Sequence, residues 1–262
     1  MIPNKLRTLL RAGKPTLGTR MNTVSPELVE ILGHTGQYDY VELVGENATY
    51  DLHDLGNYCR AAELHDLGIV FKTDYDTRRF MAQRAIGAGF QGVLFTDNHT
   101  VEDARECIRI CRAETPGDNG LFGAVGRRFA YPEYGGSPDY VQALRDIVVM
   151  IMVEKKQFVE NWEQVLAVPG IDMIQWGGSD YSMSDGRPGG VGSPETKAVE
   201  RRVIETALKA GVQPRVELGS AEQAQYYLDL GVRHFSIGMD TRMLFDGWKA
   251  HGEKLRKILA PL

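Results

Sequence analysis

Two carboxylates stand where an α/β chain most readily does chemistry. The segment from Val148 to Gly186 reads VVMIMVEKKQFVENWEQVLAVPGIDMIQWGGSDYSMSDG. Its apolar run, Val148 to Val153, ends abruptly in Glu154. A second run, Ile171 to Trp176, ends in Gly177-Gly178-Ser179 and then Asp180. Between them Phe158, Trp162, Val165 and Leu166 recur at helical spacing until Pro169-Gly170 stops the pattern. This is a strand–helix–strand unit with a carboxylate just past each strand. Ligands of α/β folds bind outside the carboxyl ends of the strands. Two carboxylates there, with glycines that let backbone approach closely, suit a hard divalent cation such as Mg²⁺ or Mn²⁺. The plainer alternative has Glu154 capping the next helix and Asp180 making a turn.

Other strands carry charge as well. Arg20 ends the first strand, and alternation puts Glu42 with Val44, Lys72 with Val70, and Arg215 with Glu217 on common faces. Ionised groups inside a barrel are costly unless paired. Outward faces could instead point them at solvent. As a set they read as an anion-binding mouth: Arg20, Lys72 and Arg215 neutralise substrate carboxylates, balanced by Glu42 and Glu217. His99 follows the fourth strand in Thr96-Asp97-Asn98-His99, so it is either a candidate base or a neighbour of the next helix cap. His34, His53, His65 and His251 read as surface residues.

The elements that must position these groups alternate along the chain. Strands are expected at Thr16 to Arg20, Tyr40 to Val44, Ile69 to Lys72, Gly92 to Phe95, Val148 to Val153, Ile171 to Trp176, Gln213 to Leu218 and His234 to Ile237. Helices follow each strand, several ending in Gly before the next strand. Pro- and Gly-rich sequence from about 113 to 138 predicts a long loop or lid, in which Arg127-Arg128 could close over an acid substrate. Asp180 to Gly192 reads as a second glycine-rich loop. The pattern predicts a single (β/α)₈ TIM-type barrel over residues 1–262, a fold that takes about 250 residues. The rival, a doubly wound open sheet, would need a phosphate-binding glycine loop after strand one, and Thr19-Arg20-Met21-Asn22 is not one.

Composition narrows the partners. The 262 residues carry a net charge of −5 and no basic tract, which argues against nucleic acid. There is no apolar run approaching the 18 or so residues of a membrane span, and MIPNKLRTLLRAGKP lacks the apolar core of a signal peptide. Cys59, Cys107 and Cys111 show no metal-type pairing and suggest a reducing, cytoplasmic setting.

These residues resemble the metal-dependent class II pyruvate aldolases of the HpcH/HpaI (4-hydroxy-2-oxoheptanedioate aldolase) family. The similarity runs from Gly13-Lys14-Pro15 to about Trp248 and is most specific from Val153 to Ser182. It implies a TIM-type barrel, a divalent cation (Mg²⁺, Mn²⁺ or Co²⁺) on Glu154 and Asp180, backbone N–H groups of Gly178 and Ser179 on a substrate carboxylate, and usually a hexamer. The departures are informative. The family's Asp-Gly-Glu-His after strand two, which supplies the general base, reads Val44-Gly45-Glu46-Asn47 here. Its carboxylate-binding arginine is Lys72, and its keto-binding glutamine is Met152. The expectation is a metal-dependent lyase, aldolase or decarboxylase, of a small 2-oxo acid or related carboxylated substrate. Lys72 would hold charge, Asn47 stands at the place of the missing histidine, and His99, Glu46 or a metal-bound water would replace the base. A hydrolase or isomerase reusing the metal site, and a non-catalytic acid-binding descendant, are the alternatives.

Overall fold

The computed structural model describes residues 3–124 and 134–260. Arg127 and Arg128, with the centre of the expected lid, lie outside the described residues. Eight parallel strands close into a barrel in sequence order: β1 (Thr16–Met21), β2 (Tyr40–Val44), β3 (Gly68–Thr73), β4 (Gly92–Phe95), β5 (Val148–Val153), β6 (Met173–Trp176), β7 (Gln213–Leu218) and β8 (His234–Met239). The helices are α1 (Lys5–Arg11), α2 (Pro26–His34), α3 (Leu52–Leu64), α4 (Arg78–Ala88), α5 (Val101–Cys111), α6 (Pro138–Asp146), α7 (Lys156–Glu160), α8 (Trp162–Leu166), α9 (Gly178–Ser184), α10 (Pro194–Lys209), α11 (Ala224–Leu230) and α12 (Asp240–Leu259). This is the expected (β/α)₈ TIM-type barrel.

Period-two alternation sorts each strand. One face of β2 to β6 (Val41, Leu43, Ile69, Phe71, Val93, Phe95, Val149, Ile151, Val153, Ile174) packs on the helices. The other faces the barrel interior, where Tyr40, Val70, Leu94, Met150 and Met173 form an apolar floor closed by Leu6 of α1. Gly18 permits this floor, because a Cβ there would overlap the Tyr40 ring. Arg7 pins α1 to the barrel through paired 2.6 Å bonds to Asp172. Helix starts follow their sequence signals: Ser25, Ser137 and Ser193 each accept a backbone N–H ahead of a proline, and Thr100 with Asp103 forms a capping box.

Three expectations are corrected. Strand β6 starts at Met173, not Ile171. The segment between β5 and β6 is two helices with Asn161 between them, its backbone at φ −106, ψ 21. The start of the expected 180–192 loop is helical, in α9: Tyr181 donates its N–H to Gly177 O at 2.9 Å, and its ring packs 4.8 Å from that of Trp176. That packing overrides the poor helix propensity of the glycines. Among the described residues no helix is long and apolar enough to cross a membrane.

Candidate active site

The carboxyl ends of the strands open on a cavity of about 730 Å³. Arg20, Lys72, Met152, Gly178, Ser179 and Asp180, all candidate site residues of the sequence, line it. Glu217 lines it too, and Lys197, Gln223 and Tyr226 add an outer polar wall.

Asp180 lines one side of the cavity, and Glu154, which does not itself line it, lies near enough for the Asp180 charge to act on its carboxyl. Glu154 leaves β5 pointing inward and is 3% exposed. Its Oε1 accepts the Asp97 backbone N–H at 2.7 Å. The Gly177 backbone passes so close that a Cβ there would lie 2.7 Å from Oε2. Asp180 sits in the first turn of α9. Burial pushes the Glu154 carboxyl up to about 7; the Asp97 amide and Lys72 pull it down, while the charges of Asp97 and Asp180 add to the rise. A buried Glu154 carboxyl beside the charges of Asp97 and Asp180 is what a divalent cation would stabilise, and the oxygen donors match Mg²⁺ or Mn²⁺. The residues therefore fit a hard cation. Among the described residues there is no group of three or more His, Cys, Asp or Glu side chains that could hold one. Water and substrate would have to supply the remaining ligands, as they do for most protein-bound Mg²⁺.

Two ion-paired cations also line the cavity. Lys72 Nζ lies 2.5 Å from Glu46. Burial works against its charge, but Glu46 outweighs burial, with Glu42 and Glu154 beyond it, and holds its pKa above the ordinary lysine value. Lys72 is thus a fixed positive charge and not a proton acceptor. Arg20 reaches across the mouth to Glu217 at 2.7 Å.

Beneath the cavity lies a polar layer. Arg215 and Glu42 are both fully buried and ion-paired, and Arg215 also bonds Gln175 and, at 2.7 Å, the Tyr40 hydroxyl. Gln175 Nε2 donates to Glu217 at 2.8 Å, linking this layer to the mouth. Burial disfavours the Arg215 charge, yet the adjoining Glu42 carboxylate raises its pKa overall. The assignment of Arg215 to substrate is corrected accordingly: it sits two residues upstream of Glu217 on β7, one layer deeper, and does not line the cavity.

Other candidates for the base also stand away. Asn47 is exposed, its backbone N–H turned back to Val44 O at 3.1 Å. His99 is exposed on the turn into α5, its ring 5.9 Å from that of Tyr75, and does not line the cavity. Glu46 is committed to Lys72. Sequence reasoning passed over Asp97, Lys155 and Gln175. Gln175 had a signal, a polar residue in register with Arg215 inside an apolar strand. Asp97 had none beyond its place after β4.

The profile of the HpcH/HpaI aldolase/citrate lyase family matches residues 20–246. A 4-hydroxy-2-oxo-heptane-1,7-dioate aldolase of Shigella sonnei is 25% identical over 242 residues, 92% of this chain and 90% of that protein. The crystal structure of a family protein from Burkholderia cenocepacia is 27% identical, with a TM-score of 0.85 over 97% of this chain and 100% of that one. A second, the HpcH/HpaI aldolase from Desulfitobacterium hafniense, shares the fold at 23% identity, with a TM-score of 0.86 over 97% of each chain. Barrel, carboxylate pair and family match converge: the chain belongs to the HpcH/HpaI aldolase/citrate lyase family and is a carbon–carbon lyase of that type.

Proposed function

We propose that the chain is a divalent-metal-dependent lyase that cleaves a 2-oxo acid or related carboxylated substrate, through Glu154 and Asp180. The observation that carries this reading is the buried Glu154 carboxyl under the charge of Asp180, with Lys72 and Arg20 lining the same cavity as Asp180. A cation on the pair would act as a Lewis acid toward the negative charge that develops on the carbonyl as the bond breaks. The chain's own groups do the rest. Backbone N–H groups at Gly178 and Ser179 receive the substrate carboxylate, Lys72 and Arg20 hold further negative charge, and Met152 contributes an apolar patch.

Within the lyase class, decarboxylation of an oxaloacetate-like acid is favoured over retro-aldol cleavage. Retro-aldol cleavage needs a base to take a hydroxyl proton. Lys72 is held charged, while Asn47 and His99 stand away from the cavity. The substitutions at Val44, Asn47, Lys72 and Met152 also motivate a second reading, a hydrolase or isomerase on the same metal site. The deciding experiment incubates purified protein and Mg²⁺, Mn²⁺ or Co²⁺ with a panel of 2-oxo acids and 4-hydroxy-2-oxo acids. Release of pyruvate or CO₂ supports the lyase; product formed without either supports the second reading. Ligand-raised melting temperatures with no turnover would support a binding protein.

The reading extends to self-association, the family's hexamer being the reference. Every α12 residue after Asp240 is exposed, and Met243, Phe245, Trp248, Leu255 and Ile258 give the helix a large apolar surface. Light scattering on the purified chain tests it, with a monomer counting against. A cytoplasmic setting is part of the same reading, in keeping with the buried Cys107 and Cys111 thiols.

A further inference from the structure

Three described non-glycine residues have positive φ: Asp66, Asp97 and Asn119. Asp66 lies in the connection from α3 to β3, and Asn119 in that from α5 to α6. Asp97, at φ 54, follows β4 directly, at the active end of the barrel. Asp tolerates this left-handed conformation better than most residues, but still at a cost. The fold holds it there from both sides. Thr96, 1% exposed, donates its hydroxyl to Thr73 O at 2.8 Å. Asn98, fully buried, donates to Phe95 O at 2.9 Å and accepts from the Cys107 thiol. The Asp97 carboxylate itself is tethered to Lys155 at 2.5 Å.

One consequence of this turn is the direction of the Asp97 amide, which donates to Glu154 Oε1 at 2.7 Å. With Oε1 occupied, Oε2 is the oxygen left against Gly177, three residues before Asp180. We propose that Asp97 is a positioning residue for Glu154: its left-handed backbone holds the amide that orients the carboxylate, and Lys155 is the tether that keeps it so. The proposal rests on the metal reading above and deepens it. Asp97 acts through its amide and not as a ligand, since its carboxylate is taken by Lys155 and it forms no three-ligand group with Glu154 and Asp180.

The test is calorimetric titration of Mn²⁺, without substrate, into the full chain and its variants, with a thermal melt of each. Asp97→Ala disfavours the left-handed turn and is expected to weaken Mn²⁺ binding about 10–100-fold, the usual effect of losing a hydrogen-bond partner of a metal ligand. Asp97→Asn keeps the left-handed preference and the amide but gives up the charge that Lys155 holds, and is expected to recover part of that loss. Lys155→Met removes the same tether and should bind about as Asp97→Asn does, between wild type and Asp97→Ala. Wild-type affinity in Asp97→Ala overturns the proposal. So does Asp97→Asn binding as weakly as Asp97→Ala, which would make the side-chain carboxylate the working group. Should Asp97→Ala not fold, Lys155→Met decides the matter, wild-type affinity there being the contrary result. A wild-type chain that takes up no Mn²⁺ removes the metal reading and this proposal together, whereas wild-type uptake with indifferent variants removes this proposal alone.

Discussion

Gly177 runs so close beneath Glu154 that a Cβ on it would lie 2.7 Å from both the Cβ and the Oε2 of the glutamate. The glycine therefore permits the approach that lets strand β6 deliver the α9 turn, with Asp180, to the carboxylate on β5. Gly177→Ala must push Glu154 aside. We expect Mn²⁺ affinity by calorimetry to fall at least about tenfold, with the metal-free melting temperature lowered only modestly. A variant that binds Mn²⁺ normally would show that Glu154 has room to move.

Arg215 and Glu42 form a buried pair, and removing one partner of such a pair strands the other. Arg215→Met is expected to cost about 3–5 kcal/mol of stability by denaturant titration. Adding Glu42→Gln should recover part of it. Arg20→Ala, at the half-exposed mouth, should cost little stability and instead raise the substrate KM more than Arg215→Met does. The reverse pattern would return Arg215 to substrate binding.

His234 opens β8 at the barrel floor, 3% exposed, with Nδ1 3.0 Å from the Thr16 hydroxyl. Burial lowers its pKa from 6.5 to about 4. Between those values the unfolded chain binds a proton that the folded chain does not, so His234 makes stability rise with pH across that window. Its contribution is complete above pH 6.5 and is lost as pH falls toward 4. Melting temperatures of the wild type should drop more steeply from pH 6.5 to 4.5 than those of His234→Gln. Parallel curves would contradict the assignment.

Rebuilding the family's Asp-His base at Val44 and Asn47 should not restore an aldolase. Val44 is 4% exposed and pairs in register with Lys72, so an aspartate there would draw Lys72 away from Glu46. Position 47 is exposed and turned from the cavity. Retro-aldol kinetics of the Val44→Asp, Asn47→His double variant at saturating Mn²⁺ should show a fall. A general base contributes about 10²–10⁴-fold, so a tenfold gain would mark the chain as a decayed pyruvate aldolase.

Much of this was legible in the sequence because alternation and apolar runs are local signals. All eight strands and the Glu154 and Asp180 strand ends could be read directly. Depth in the barrel could not: alternation tells which face Arg215 occupies, but its layer depends on the stagger of closed strands. Nor does a position after a strand say where a side chain points, which is why His99 and Asp97 were not separable. His99 turned out to Tyr75 and solvent, while Asp97 turned its backbone to Glu154. The α9 helix was hidden by its glycines, since the packing of Tyr181 that forms it is tertiary.

The central claim is that Glu154 holds a cation on which carbon–carbon cleavage depends. Its most direct test is the background-corrected decarboxylation of oxaloacetate by wild type and Glu154→Gln, with Mn²⁺ and with EDTA. We predict turnover by the wild type with Mn²⁺, abolished by EDTA and reduced about 100-fold or more in Glu154→Gln, the loss of a few kcal/mol of charge stabilisation. Turnover that survives EDTA, or that Glu154→Gln retains at the wild-type rate, would contradict it.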